Sequence, residues 1–190
     1  MELYQRTASD LARMIAAKAV APSEVMAAHL ARIAKVNGAV NAVISLRDRE
    51  ALMAEARAAD DAPRQGWLHG LPFALKDLCA TKGLRTTWGS PLFKDFVPTS
   101  DDLLAARMRA AGAIFIGKTN TPEWGHGSHS FNPVFGVTRN PYDLTRTAGG
   151  SSGGAAAALA TRMGGRLTLA STPGVGTTVT LLLPPGEAPV

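Results

Sequence analysis

Cysteine, aromatic residues and long apolar runs are all scarce in this 190-residue chain. The single cysteine, Cys79, excludes an internal disulfide framework and a multi-cysteine metal site, which fits a reducing compartment. No apolar stretch approaches the roughly 20 residues needed to span a bilayer, so no membrane role is expected. The opening MELYQRTASD has no apolar stretch behind a basic cluster and no resemblance to a secretory signal, so a cytoplasmic location is expected. Charged residues make up 18% of the chain against 46% hydrophobic, a soluble globular balance with room for one domain. The net charge of +5 would suggest nucleic acid only if the basic residues gathered on one face. Arg13, Lys18, Arg32, Lys35, Arg47, Arg49 and Arg57 instead sit scattered among alanines and acids, as on solvated helices, so no nucleic-acid partner is expected.

The N-terminal third reads as helices. Thr7 or Ser9 caps a stripe of Leu11, Met14 and Ile15 over 7–19. Met26, Leu30 and Ile33 form a second stripe from Ser23 to Asn37 and Gly38, and Asp48 to Ala59 forms a third helix after a short strand at 42–46. Residues 71–76 are a short apolar run ending on Lys76. Asp101 and Asp102 open another helix, followed by the buried-strand run AIFIG at 113–117. Helix followed by buried strand is an α/β rhythm. Residues 118–150 read as a long structured loop, and RLTLAS with TTVTLLL around PGVG reads as a terminal β-hairpin.

Two features carry chemistry. GGSSGG at 149–154 has the composition of a linker, yet a run of alanines follows at once. Glycines that bend tightly before a helix N-terminus can aim serine hydroxyls and amide donors at a developing negative charge, which suits acyl transfer. Lys76 alone would most often be a solvated strand end. A lysine in a partly dry site has a lowered pKa and accepts a proton from serine without any histidine.

HGLPFALKD, GKTNTPEWGHGSHSFNPVFGVTRNPYD and GGSSGGAAAALA occur here in the order and spacing that they have in the amidase-signature family, which the chain resembles over about residues 1–162. The resemblance implies an α/β fold with helices on a mixed sheet, part of the larger amidase-signature architecture, and hydrolysis of carboxylic amide C–N bonds in small-molecule substrates by a Ser, cis-Ser, Lys triad. Lys76 matches the general base, and Ser151 matches the serine that bridges it to the nucleophile through a cis peptide. Gly149, Gly150, Ser152, Gly153 and Gly154 match the supporting loop, and Asn120, Thr121 and Glu123 match a segment that shapes the active-site loop. No metal and no cofactor are implied.

The family continues with an Asp-x-Gly-Gly-Ser segment carrying the nucleophile, which the spacing would put near Val175; that segment is absent. Residues 163–190 instead resemble the closing segment of a sensor histidine kinase ATPase domain, with the junction at Arg162 and Met163. Ser171, Thr177 and Thr178 are poor substitutes, since attack geometry tolerates errors of about an ångström. The expectation is an amidase by lineage that is inactive as it stands. The alternatives are a non-catalytic binding protein or chimera, with self-association through an exposed sheet edge, and, more weakly, a kinase-type ATP-binding module. His126 and His129 form an HxxH pair with no third ligand in view, and a hydrogen-bonding role is expected. Trp67, Trp88 and Trp124 are expected to pack or line a pocket.

Overall fold

The computed structural model describes residues 2–163, 166–172 and 176–182, with side chains described through Ala160. Among the described residues five α-helices, α1 (Ala8–Ala16), α2 (Pro22–Val40), α3 (Arg49–Asp60), α4 (Leu103–Ala110) and α5 (Gly153–Met163), surround a small central sheet. That sheet is mixed: β3 (Ile114–Thr119) lies between β1 (Val43–Ile44), antiparallel to it, and β2 (Pro72–Lys76), parallel to it. The α/β class is therefore as read from the sequence. The hairpin is present as β8 (Arg166–Thr172) and β9 (Gly176–Leu182), paired from Arg166 with Leu182 to Thr172 with Gly176. Residues 173–175 of its turn, including the Val175 position, lie outside the described residues.

The helix ends differ from expectation for local reasons. Of the two candidate caps, Thr7 is the one used: its hydroxyl accepts from the Asp10 amide at 3.0 Å. The helix α1 stops at Ala16, short of residue 19, because Lys18 turns left-handed at φ 55°. In contrast α2 runs through Gly38 to Val40 and stops where Asn41 adopts φ 55°. Asn37 does not end the helix; its side chain holds the chain beyond it, with Oδ1 accepting from the amides of Ala42 (3.0 Å) and Val43 (2.8 Å). The expected loop over 118–150 contains two short ladders, β4 (Phe131–Asn132) with β5 (Gly136–Val137) and β6 (Arg139–Asn140) with β7 (Asp143–Thr147). Three of these four strands have only two residues, too few to show a periodicity in the sequence.

One face of the sheet packs Ile114 and Ile116 against Met26, Leu30, Leu52 and Ala56 of α2 and α3. The other core joins Leu11, Ile15, Val25, Leu71, Leu75, Ala105 and Phe115. Between Phe73 and Ala74 the β2–β3 register slips by one residue, so that Ala74 pairs with Gly117 and Lys76 with Thr119. Alternation along β2 then gives Leu75 to one face and Ala74 with Lys76 to the other. Lys76 thus ends the strand on the side where α5 begins.

All six residues of β3 are buried, including Lys118 at 0% exposure. Its Nζ donates to the Cys79 carbonyl and, at 2.7 Å, to Thr81 Oγ1, tying the loop after β2 to the sheet. Burial pushes Lys118 down from 10.5 to about 8, with Asp77 opposing the shift. Asp77 is also buried and takes hydrogen bonds from the Thr87 amide (3.1 Å) and hydroxyl (2.6 Å), and burial raises its pKa.

Because the folded chain binds Lys118's proton less tightly than the unfolded chain, its burial destabilises the fold below pH 8, and that cost is relieved as pH rises from about 8 to 10.5. The full effect is on the order of 3 kcal/mol. Urea denaturation at pH 7.5 and 9.5 is expected to show a midpoint that rises with pH relative to Lys118→Met; equal pH responses in both proteins would refute this.

Candidate active site

The tandem-serine segment sits directly before α5, with the Ser152 carbonyl accepting from the Ala156 amide at 3.0 Å. Its position is set by close packing. A Cβ built on Gly154 would lie 2.3 Å from the Asn120 backbone nitrogen and 2.6 Å from the Asn120 oxygen, so only glycine lets α5 approach the end of β3 this closely. The Gly154 amide donates to the Asn120 carbonyl at 3.3 Å, and the Gly153 amide to Ser130 Oγ at 2.8 Å. Gly149, at φ 74°, turns the chain into the segment, and its carbonyl accepts from the Ser130 amide at 2.8 Å. Gly150 also packs on residues 129 and 130, and the Gly150–Ser151 peptide is cis.

Asn120 is fully buried at the centre of this arrangement. Its amide group donates to Thr138 Oγ1 at 3.0 Å and to the Gly136 carbonyl at 3.2 Å. Its Oδ1 accepts from Asn132 Nδ2 at 2.7 Å and from the Thr121 amide at 3.1 Å. Thr121, equally buried, donates from Oγ1 to the Ser151 carbonyl at 3.2 Å. Asn120 and Thr121 therefore shape the loop from its interior. Glu123 is half-buried in a 3-10 turn beside Trp124.

Lys76 reaches both serines, with Nζ 2.9 Å from Ser151 Oγ and 3.0 Å from Ser152 Oγ. Two hydroxyls that lie 75 and 76 residues further along the chain thus converge on one ammonium. The second contact is not legible in the motif, which gives Ser152 only as part of the loop; the signal is geometric, two hydroxyls in sequence at one helix start. Ser151 is half-buried and Ser152 exposed. Burial lowers the Lys76 pKa from its ordinary 10.5, raising the fraction of neutral amine that can take a proton from a hydroxyl.

The other sequence candidates fall elsewhere. His129 Nδ1 lies 2.9 Å from Thr147 Oγ1, and among the described residues no three His, Cys, Asp or Glu side chains come together as a metal site. Cys79 is half-buried and its thiol is pushed up by burial. Trp88 and Trp124 do pack, stacked at 6.0 Å between ring centres with Phe93 and Phe96 beside them. Trp67 does not: it is 68% exposed, a surface residue after a polar turn.

Gly154→Ala is expected to destabilise the chain by about 3 kcal/mol, because the new methyl group meets backbone that cannot move aside. Gly38→Ala, inside α2 with nothing within 4 Å, is expected to stabilise it by about 0.5–1 kcal/mol. Denaturant melts of the two variants check the contrast, and a Gly154→Ala protein as stable as the parent would contradict the close-packing account.

Comparison with known proteins gives the family. The sequence profile of the amidase family matches residues 24–166. A glutamyl-tRNA(Gln) amidotransferase subunit from Acidothermus cellulolyticus is 46% identical over 163 residues, covering 84% of this chain and 32% of that protein. Among solved structures, 6-aminohexanoate cyclic dimer hydrolase in complex with substrate superimposes with a TM-score of 0.75 at 33% identity, over 85% of this chain and 33% of that one. The native peptide amidase of Stenotrophomonas maltophilia does so with a TM-score of 0.72 at 32% identity, over 82% and 34%. The chain spans about a third of the length of these relatives. No described helix is long and apolar enough to cross a membrane. With well over half of its residues matched by one family profile, and the lysine and tandem serines in contact, the chain belongs to the amidase family.

Proposed function

We propose that this chain carries the proton-transfer half of a hydrolase site for carboxylic amide C–N bonds. The observation that supports it is the 2.9 Å contact between Lys76 Nζ and Ser151 Oγ, made by a lysine whose pKa is lowered by burial. In this reading Lys76 is the general base. Ser151 relays the proton from the attacking serine, and Lys76 then returns a proton to the departing amine. Gly149, Gly150, Ser152, Gly153 and Gly154 hold the relay in place, with Asn120, Thr121 and Glu123 shaping the adjoining loop. The chemistry asks for no metal or cofactor. The substrates are small-molecule amides.

Residues 1–162 form the amidase unit in this reading, and 163–190 a kinase-like hairpin tail. The Asp-x-Gly-Gly-Ser segment that supplies attack and oxyanion donors in the family pattern does not occur after Arg162. Loss of one member of such a triad costs several orders of magnitude in rate, so the chain is inactive on ordinary amides.

The second reading, a non-catalytic binding protein, is favoured by an apolar cavity of about 320 Å³ between α2, β2 and α5, lined by Ile33, Val36, Val40, Phe73 and Leu159 among others. In that reading self-association runs along the outer edge of β2, which has no strand partner among the described residues. ATP binding of kinase type is the weakest alternative, since the resemblance covers only the tail.

Two measurements test the first reading. The rate of reductive methylation of Lys76, followed by peptide mass spectrometry across pH, is expected to titrate below the ordinary lysine value of 10.5. Ammonia release from small primary amides is expected to equal that of Lys76→Ala. An ordinary Lys76 titration would remove the general-base assignment, and Lys76-dependent turnover would remove the claim of inactivity.

A further inference from the structure

We propose that Ser152 is itself a nucleophile in this chain, forming with Lys76 a serine–lysine dyad that accepts acyl or phosphonyl groups from activated donors such as aryl esters and phosphonofluoridates. The proposal rests on the general-base reading of Lys76 and adds a site to it.

Three observations carry it. Ser152 Oγ is 3.0 Å from Lys76 Nζ, within direct proton-transfer distance, so no relay hydroxyl is required. Ser152 is exposed, whereas Ser151 is half-buried with its carbonyl held by Thr121 Oγ1, so Ser152 is the more open of the two serines on Lys76 to a substrate from solvent. Ser152 also directly precedes the eleven-residue helix α5, whose positive end stabilises an alkoxide.

The step balances without any group from outside. Neutral Lys76 Nζ takes the Ser152 hydroxyl proton as Oγ attacks phosphorus; the Oγ–P bond forms, the P–F bond breaks, fluoride leaves and the proton passes from Lys76 to solvent. With an aryl ester, Oγ attacks the carbonyl carbon and the phenolate leaves. Water, deprotonated by Lys76, then cleaves the acyl–Ser152 ester. The same site is poorly suited to unactivated amides. The amides of Gly153 and Gly154 at the helix start are already engaged by Ser130 Oγ and the Asn120 carbonyl, so neither is available to an oxyanion. Donors with good leaving groups have the least need of that help.

The test is incubation of the whole chain with a fluorophosphonate probe over pH 6–10 and peptide mapping of the adduct. One phosphonyl group on Ser152 is expected, with a rate rising about tenfold per pH unit below the Lys76 pKa. Ser152→Ala is expected to abolish the adduct and Lys76→Met to slow it at least about 100-fold. Circular dichroism shows whether each variant is folded, and the site mapped on the unaltered chain decides the question without them. No adduct, an adduct on Ser151 or another residue, or a rate indifferent to Lys76→Met in a folded variant overturns the proposal. If the methylation titration places Lys76 at an ordinary pKa, the general-base reading falls as well; if Lys76 titrates low and Ser152 stays unmodified, only this inference falls.

Discussion

The contact between the start of α5 and the backbone of Asn120 is the constraint on which the site depends. Gly154 lies where any side chain would strike the Asn120 peptide, and Asn120 in turn is tied through its side chain to residues 132, 136 and 138 and through its amide to the Ala42 carbonyl at 3.0 Å. A buried amide that satisfies both its donors and its acceptor is costly to disturb, because each lost partner leaves a desolvated polar group. The serines therefore inherit their position from a network anchored just beyond β3. Placement of the lysine comes from the opposite direction, through the parallel pairing of β2 with β3 and the register slip that assigns Lys76 its face. Both placements are referred to the end of β3, and they meet at a 2.9 Å hydrogen bond.

The two lysines at the ends of these paired strands show how burial divides roles. Lys118 is sealed at 0% exposure, with a carbonyl and a hydroxyl on its ammonium, and works as a tether for residues 79–81. Lys76 is half-buried and faces two serine hydroxyls, the polar groups from which a proton can be drawn. Both pKa values fall for the same reason and both ammonium groups meet a hydroxyl, yet only Lys76 meets one on an exposed residue, Ser152. A lowered pKa is thus no signature of catalysis without the geometry around it.

Much of this was legible in the residues. The apolar run AIFIG is the buried strand β3, Asp48 and Asp102 stand at helix starts, and the glycine and serine loop does feed a helix. The motifs named Lys76 and Ser151, and the structure brings them together. What the sequence concealed is of two kinds. Left-handed residues such as Lys18 and Asn41 end helices where the residue type gives little warning. Lys118 looks like any lysine after a strand, because its burial is decided by the loop 77–87 folding over it, a contact of 37 to 39 residues' separation that no local pattern encodes.

The division of labour in the site follows from where its parts lie along the chain. Lys76, Ser151, the glycine loop and the Asn120 network all fall within residues 70–163, and the hydrogen bonds that align them are made inside that stretch or to residues 41 and 42 just beyond α2. A segment spanning a third of the relatives' length can therefore hold a lysine and two serines in hydrogen-bond contact by its own packing. Attack on an amide makes a further demand, a set of unengaged donors at the carbonyl oxygen, and the described helix-start amides of Gly153 and Gly154 are bound up in holding α5 to Ser130 and Asn120. The same two hydrogen bonds that fix the serines beside Lys76 are thus what keeps these amides from stabilising an oxyanion.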